Sequence, residues 1–169
     1  MSWVPFVSSP PGVVERMLRL ADVGPSDIVF DLGCGDGRIL IAAVESFRAK
    51  EAVGYEIRDD VYKNALEVVV RANLQERIKI INRDFFEADI SEANVITLYL
   101  NSFTNGKLRP KLEKEALPGT RIISHDFSMS SWRPSLEDSF QDDHTSHTIY
   151  LYLAPEAFSL GKKDNRTDS

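Results

Sequence analysis

The chain of 169 residues contains a single cysteine, Cys34. That excludes a disulfide framework and any zinc site built from several cysteines. Long apolar runs are also missing. The longest are pieces such as Ile39-Leu40-Ile41-Ala42-Ala43-Val44, far short of the ~18 residues of a membrane span. Residues 1–12 carry neither a basic start nor an apolar stretch, so no signal peptide is expected. These absences point to a cytoplasmic location with no membrane partner. Basic charge is in deficit: 20 lysines and arginines stand against 26 aspartates and glutamates, a net charge of −6. Nucleic-acid binders usually carry a basic footprint, so direct nucleic-acid contact is disfavoured. An acidic surface suits a basic partner better. The three histidines, His125, His144 and His147, are spread out and lack metal-ligand spacing, so no metal is expected. Internal repeats and long low-complexity tracts are absent.

What is present fits one globular domain, with 43% hydrophobic and 27% charged residues. Val14, Met17, Leu18 and Ala21 recur at helical spacing behind Pro10-Pro11, predicting a helix over 12–22. Short strands are expected at 28–30, 52–55, 78–81, 94–100 and 121–124. Helices are expected at 37–47, from Asp59 or Asp60 (as cap) to about 73, and over 104–116, where Pro110 fits a helix start better than an interior. Alternation of this kind predicts a parallel sheet. Segments 136–141 and 147–153 have only 142–146 between them, so they should pair as an antiparallel hairpin. The polar stretch 161–169 reads as a disordered tail.

The informative stretch is Asp31-Leu32-Gly33-Cys34-Gly35-Asp36-Gly37-Arg38, between the first strand and the next helix. Ligands of open α/β sheets bind at the carboxyl ends of strands, and glycines there let backbone approach a ligand closely. A dinucleotide site would show G-x-G-x-x-G with a pyrophosphate on the helix N-terminus. Here the third glycine comes one place early, and Asp31 precedes the first. A carboxylate at that place repels pyrophosphate and suits a cationic ligand. S-adenosylmethionine fits, having an α-ammonium group, a sulfonium and no phosphate. Glu56, ending the second strand, can accept from both ribose hydroxyls. Asp84, past the third, can accept from an adenine amino group, with Phe85 or Ile57 packing on the ring. Cys34 reads as a packing residue, because neighbouring carboxylates raise a thiol pKa.

These residues identify the chain as a member of the class I S-adenosylmethionine-dependent methyltransferases, whose fold is α/β: a Rossmann-like seven-strand, mostly parallel sheet with helices on both faces and a C-terminal antiparallel hairpin. More narrowly it resembles the small archaeal (crenarchaeal) non-SET protein-lysine methyltransferases. The residues behind this are Val4-Pro5-Phe6-Val7, the glycine motif through Ile39, Leu108-Arg109-Pro110-Lys111-Leu112-Glu113-Lys114-Glu115, Ser124-His125-Asp126-Phe127 and His147-Thr148-Ile149-Tyr150-Leu151-Tyr152. Ser8-Ser9 stand where that pattern has Pro-Thr, and Trp3 where it has Tyr.

The resemblance implies methyl transfer to exposed lysines of broad range by in-line displacement, on cytoplasmic or chromatin proteins, and suggests a thermophilic source; a monomer is expected. It also implies cofactor contacts from Asp31, Gly33, Gly35, Asp36, Glu56 and Asp84, to which the reading of the residues adds Ile57, Phe85 and Val7, with Phe6 and Asn101 expected beside the reacting amine. Leu100-Asn101-Ser102-Phe103 follows the fourth strand without the Pro-Pro of enzymes that methylate planar nitrogen. Asn101 then shapes the methyl pocket, or is a turn asparagine bonded to its own backbone.

An unperturbed lysine is neutral about once in 2,500 molecules at pH 7, and a desolvating channel raises that fraction. Trp3, Phe6, Phe103 and Phe127 are candidates for the channel, with core packing the alternative, above all for Phe127. Residues 1–11 are expected to form a lid segment and 12–160 the catalytic domain. Rival readings are a small-molecule or RNA methyltransferase, a non-catalytic cofactor-binding module and, more distantly, a nicotinamide dehydrogenase.

Overall fold

The computed structural model describes residues 7–161. Trp3 and Phe6, and the stretch from 162 onward, lie outside them. Helix α1 (Pro11–Leu20) starts on Pro10, with Pro11 as its first residue, and buries Val13, Val14, Met17 and Leu18. There follow β1 (Ile28–Leu32), α2 (Arg38–Glu45), β2 (Glu51–Tyr55), α3 (Asp59–Arg71) and β3 (Ile78–Ile81). After a 3₁₀ turn at Phe85–Glu87 come β4 (Val95–Leu98), α4 (Ser102–Glu115), β5 (Arg121–His125), β6 (Leu136–Gln141) and β7 (Ser146–Leu153).

The seven strands form one sheet in the order β3-β2-β1-β4-β5-β7-β6. The pairs among β1 to β5 are parallel, and β7 runs antiparallel to both β5 and β6. The expected α/β sheet with its closing hairpin is therefore present, and β7 inserts between β5 and β6. The inner strands read as near-continuous apolar runs because both sheet faces are covered. One face carries α1, α2 and α3 over Val29, Ala52, Ile80, Val95 and Ile123. The other carries α4 and the segments around Ala88–Ile90 and Met129–Trp132 over Phe30, Val53, Ile96 and Ile122. Edge strand β6 is polar and largely exposed. Among the described residues no helix is long and apolar enough to cross a membrane.

Three local expectations are corrected. Asp31 lies inside β1, not beyond it, pairing with Gly54 on one side and Thr97 on the other. Pro110 lies inside α4. A proline there loses one helical hydrogen bond and crowds the carbonyl four residues back. That residue is Gly106, which like Pro110 faces solvent, so the freed carbonyl can be hydrated. Neither Asp59 nor Asp60 caps α3; the cap position is Arg58, and both aspartates fall in the first turn, where their charge suits the helix dipole.

The glycine loop lies tightly on β2. A Cβ placed on Gly54 would come within 2.6 Å of both the Cys34 sulfur and the Leu40 side chain. Gly54→Ala is therefore expected to destabilise the fold by about 1–3 kcal/mol, the usual cost of overpacking. A urea denaturation curve should show a lower midpoint at unchanged slope. An unaltered midpoint would show that the loop yields freely.

Candidate active site

Adjacent strands β1 and β4 send their following segments to opposite sides of the sheet, which opens a crevice at their carboxyl ends. The crevice holds about 430 Å³, within the range of small-molecule sites. Its floor is the loop after β1. Gly33, Gly35 and Gly37 all have positive φ (84°, 56° and 82°), a conformation that costs other residues dearly. The Gly33 and Cys34 amides both donate to the Tyr55 carbonyl at 2.9 Å, so the loop is tied to the end of β2.

Glu56 completes that tie. One of its carboxylate oxygens accepts from the Gly35 amide at 3.1 Å and the other from the Arg58 amide at 3.0 Å. Each oxygen retains a second lone-pair direction for a ligand. Asp31 is buried beneath the loop and accepts from the Thr97 hydroxyl at 2.8 Å. Burial pushes its carboxyl up to about 7 despite that hydrogen bond, and the Glu56 and Asp36 carboxylates add to the shift. Burial also drives the Cys34 thiol far above its ordinary range, with Asp31 and Glu56 contributing, so Cys34 is inert as a nucleophile. Burial acts on Asp36 too, but its hydrogen bonds to Arg38 prevail and hold the carboxyl below its usual value.

Arg38 also donates to the Ser9 carbonyl at 3.0 Å. This links the glycine loop to residues 7–9, which form one wall. The Ser9 hydroxyl meets His125 Nδ1 at 2.9 Å. The opposite wall is Ile57, Asp84, Phe85 and Phe86. Ile57 and Val7 each leave 58% of their surface exposed, apolar area that a planar ring could cover. Asp84 lines the crevice and also accepts from the Phe86 amide at 2.9 Å, capping the 3₁₀ turn.

The crevice thus brings together Val7, Asp31, Gly33, Gly35, Asp36, Glu56, Ile57, Asp84 and Phe85. Asn101 stands apart: its side-chain oxygen accepts from the Thr104 amide at 2.8 Å and caps α4. Phe6 lies outside the described residues. Phe103 is exposed on α4 under the Lys107 ammonium, and Phe127 stacks on Tyr99.

Sequence reasoning missed Tyr99, Thr104 and Lys107, which line the crevice beside Leu100. Tyr99 follows β4 directly, so the rule that ligands gather at strand ends could have found it. It also missed a histidine pair. The buried His125 Nε2 and His147 Nδ1 are 3.0 Å apart, and His147 Nε2 lies 2.8 Å from an Asp142 oxygen. Burial lowers the His125 pKa to about 4, against the pull of Asp126.

Residues 31–136 match the family model described as the ANTKMT methyltransferase domain. A protein-lysine N-methyltransferase of Saccharolobus islandicus is 47% identical over 90% of this chain and 95% of its own length. The mouse adenine nucleotide translocase lysine N-methyltransferase is 29% identical, over 78% of this chain and 56% of that protein. A crystal structure described as that of an RNA methyltransferase from Salinibacter ruber, in complex with S-adenosyl-L-homocysteine, superposes with a TM-score of 0.82. It is 43% identical and covers 89% of this chain and 95% of that one.

A cation seated against Asp31 binds the ionised carboxylate, whereas the free group titrates near 7. Below that pH a proton must leave before the cation binds. S-adenosylmethionine affinity should therefore rise by up to about tenfold per pH unit up to about pH 7 and then level off. Asp31→Asn should flatten the profile and lower the plateau. Calorimetric titrations at several pH values read both; a flat wild-type profile would separate Asp31 from the ligand.

Proposed function

Because this chain belongs to the ANTKMT methyltransferase domain family, we propose that it moves a methyl group from S-adenosylmethionine to the side-chain amines of exposed lysines on a broad range of proteins. The observation that carries this reading is the charge of the crevice. Asp36 is already paired with Arg38, but buried Asp31 and Glu56 stand at neighbouring strand ends beneath a glycine loop that closes on β2, and two such carboxylates suit a cationic nucleoside better than a pyrophosphate. The residues fit that cofactor: Asp31 faces positive charge, Glu56 offers lone pairs to ribose hydroxyls, and Ile57 and Phe85 flank a site for a ring, with Asp84 at its edge. When bound, the cofactor supplies an electrophilic methyl group whose leaving group is already activated.

The chain's own work is then orientation and exclusion of water. Tyr99, Leu100 and Val7 offer apolar surface around the crevice, and Tyr99 is backed by Phe127 and His125. An ammonium brought against such surface loses hydration, which lowers its pKa and raises the neutral fraction that can attack. Residues 7–9 form a wall of the crevice, anchored through Ser9 by Arg38 and His125. The capping role of Asn101 fixes the start of α4, which presents Thr104 and Lys107 to the crevice. Substrate choice is supported by the kinship to the Saccharolobus lysine enzyme and by the net charge of −6, which attracts lysine-rich surfaces.

An RNA substrate is the second reading, favoured by the likeness to the Salinibacter protein, which is described as an RNA methyltransferase. The acidic balance of this chain weighs against it. Incubation of the protein with methyl-labelled cofactor and a cell lysate distinguishes the two. Label should enter protein bands, vanish with protease and appear as methyl-lysine on hydrolysis. Label confined to RNA or to small metabolites would overturn the proposal.

A further inference from the structure

We propose that His125, Asp126 and His147 form a binding site for one divalent metal ion of the zinc type, at the edge of the crevice. Antiparallel pairing of β5 with β7 brings His125 opposite Ile149 and thus near His147, which lies two residues earlier. His125 Nε2 and His147 Nδ1 are 3.0 Å apart, and an Asp126 oxygen lies 3.4 Å from the first and 3.9 Å from the second. A triangle with these sides has a circumscribed radius of about 2.0 Å, which is the length of a zinc–nitrogen or zinc–oxygen bond. One point therefore lies at bonding distance from all three donors, and the two imidazoles, whose nitrogens face each other with ring centroids 5.1 Å apart, reach it by tilting their lone pairs towards Asp126.

The surroundings are those of a ligand set. Metal-bound histidines usually have the second ring nitrogen hydrogen-bonded, which fixes the ring and its tautomer. Both do here: His147 Nε2 faces Asp142 at 2.8 Å, and His125 Nδ1 faces the Ser9 hydroxyl at 2.9 Å. Asp126 adopts a left-handed conformation with φ of 63°, uncommon off glycine but easiest for Asp and Asn. Its other oxygen accepts from the Thr148 amide at 3.0 Å, so the carboxylate is held in place from β7. The histidine side chains are 0% and 6% exposed and that of Asp126 is 29%, which leaves the aspartate side open to a water as fourth ligand. Two imidazoles and one carboxylate suit zinc and its neighbours better than magnesium or calcium, which prefer all-oxygen sites. The Asp126 and Asp142 carboxylates together balance a dication.

Proton accounting closes as well. With no metal, His147 Nε2–H donates to Asp142, His125 Nε2–H donates to His147 Nδ1, and the Ser9 hydroxyl donates to His125 Nδ1. With a metal on His125 Nε2 and His147 Nδ1, the His125 proton moves to Nδ1 and the Ser9 oxygen accepts it. Two coordinate bonds replace one hydrogen bond, and no net proton is released. The ion would fasten the end of β5 to the start of β7 and, through Ser9, steady residues 7–9. This site stands independently of the methyl-transfer reading.

The test uses the full chain, stripped with a chelator and titrated with zinc against a chromophoric competitor, with cobalt(II) absorption reporting geometry. One ion per chain should bind, giving visible cobalt bands of low coordination number. Asp126→Asn keeps the left-handed turn and should weaken binding by at least about tenfold. Asp142→Asn should weaken it by about 10–100-fold, as for other groups behind metal ligands. His144→Ala, at the exposed turn nearby, should leave it unchanged. Circular dichroism of each variant confirms folding. Failure to bind zinc, binding indifferent to Asp126→Asn, or binding lost with His144→Ala would each overturn the site.

Discussion

The buried carboxyl group of Asp31 is the constraint around which the crevice is organised. It lies within β1, between Gly54 of β2 and Thr97 of β4, almost wholly buried at the base of the crevice. A carboxyl so placed titrates near 7, so near neutrality its ionisation depends on what enters the crevice above it. Glu56 stands on the neighbouring strand end and fixes the glycine loop by its bond to the Gly35 amide. The loop approaches β2 closely because residue 54 has no side chain. Core packing and the sign of the site's charge are thus parts of one arrangement.

The same arrangement reaches the amino-terminal segment. Arg38 grips Asp36 in the loop and the Ser9 carbonyl at once. On the other side, the Ser9 hydroxyl bonds to His125 at the end of β5. Residues 7–9 are thereby held across the carboxyl ends of β1 and β5, next to Tyr99. The proposed metal ion would reinforce one of the two contacts of Ser9, and Arg38 already secures the other.

Much of this could be read in the chain beforehand, for physical reasons. Inner strands such as Val95 to Leu98 are buried on both faces and announce themselves as apolar runs. The glycine loop was legible because three positive-φ positions close together leave little choice of residue. The place of Glu56 and Asp84 on the crevice was legible because both follow strand ends, where an open sheet leaves its cleft. What escaped was set by tertiary context. Asp31 looked like a loop residue, since a carboxylate inside a central strand is unfavourable without the partner that Thr97 supplies. Pro110 looked like a helix start, because its tolerance depends on Gly106 facing solvent. The histidines looked scattered, because only the β5–β7 register brings two of them together. Asn101 allowed two readings, and its bond to the Thr104 amide supports a capping role.

The claim that the crevice is built for a positively charged adenosyl ligand is tested most directly by paired calorimetric titrations with S-adenosylmethionine and NAD. The account predicts saturable binding of S-adenosylmethionine at one site per chain and no measurable heat from NAD at matched concentrations. Equal or tighter binding of NAD would contradict it.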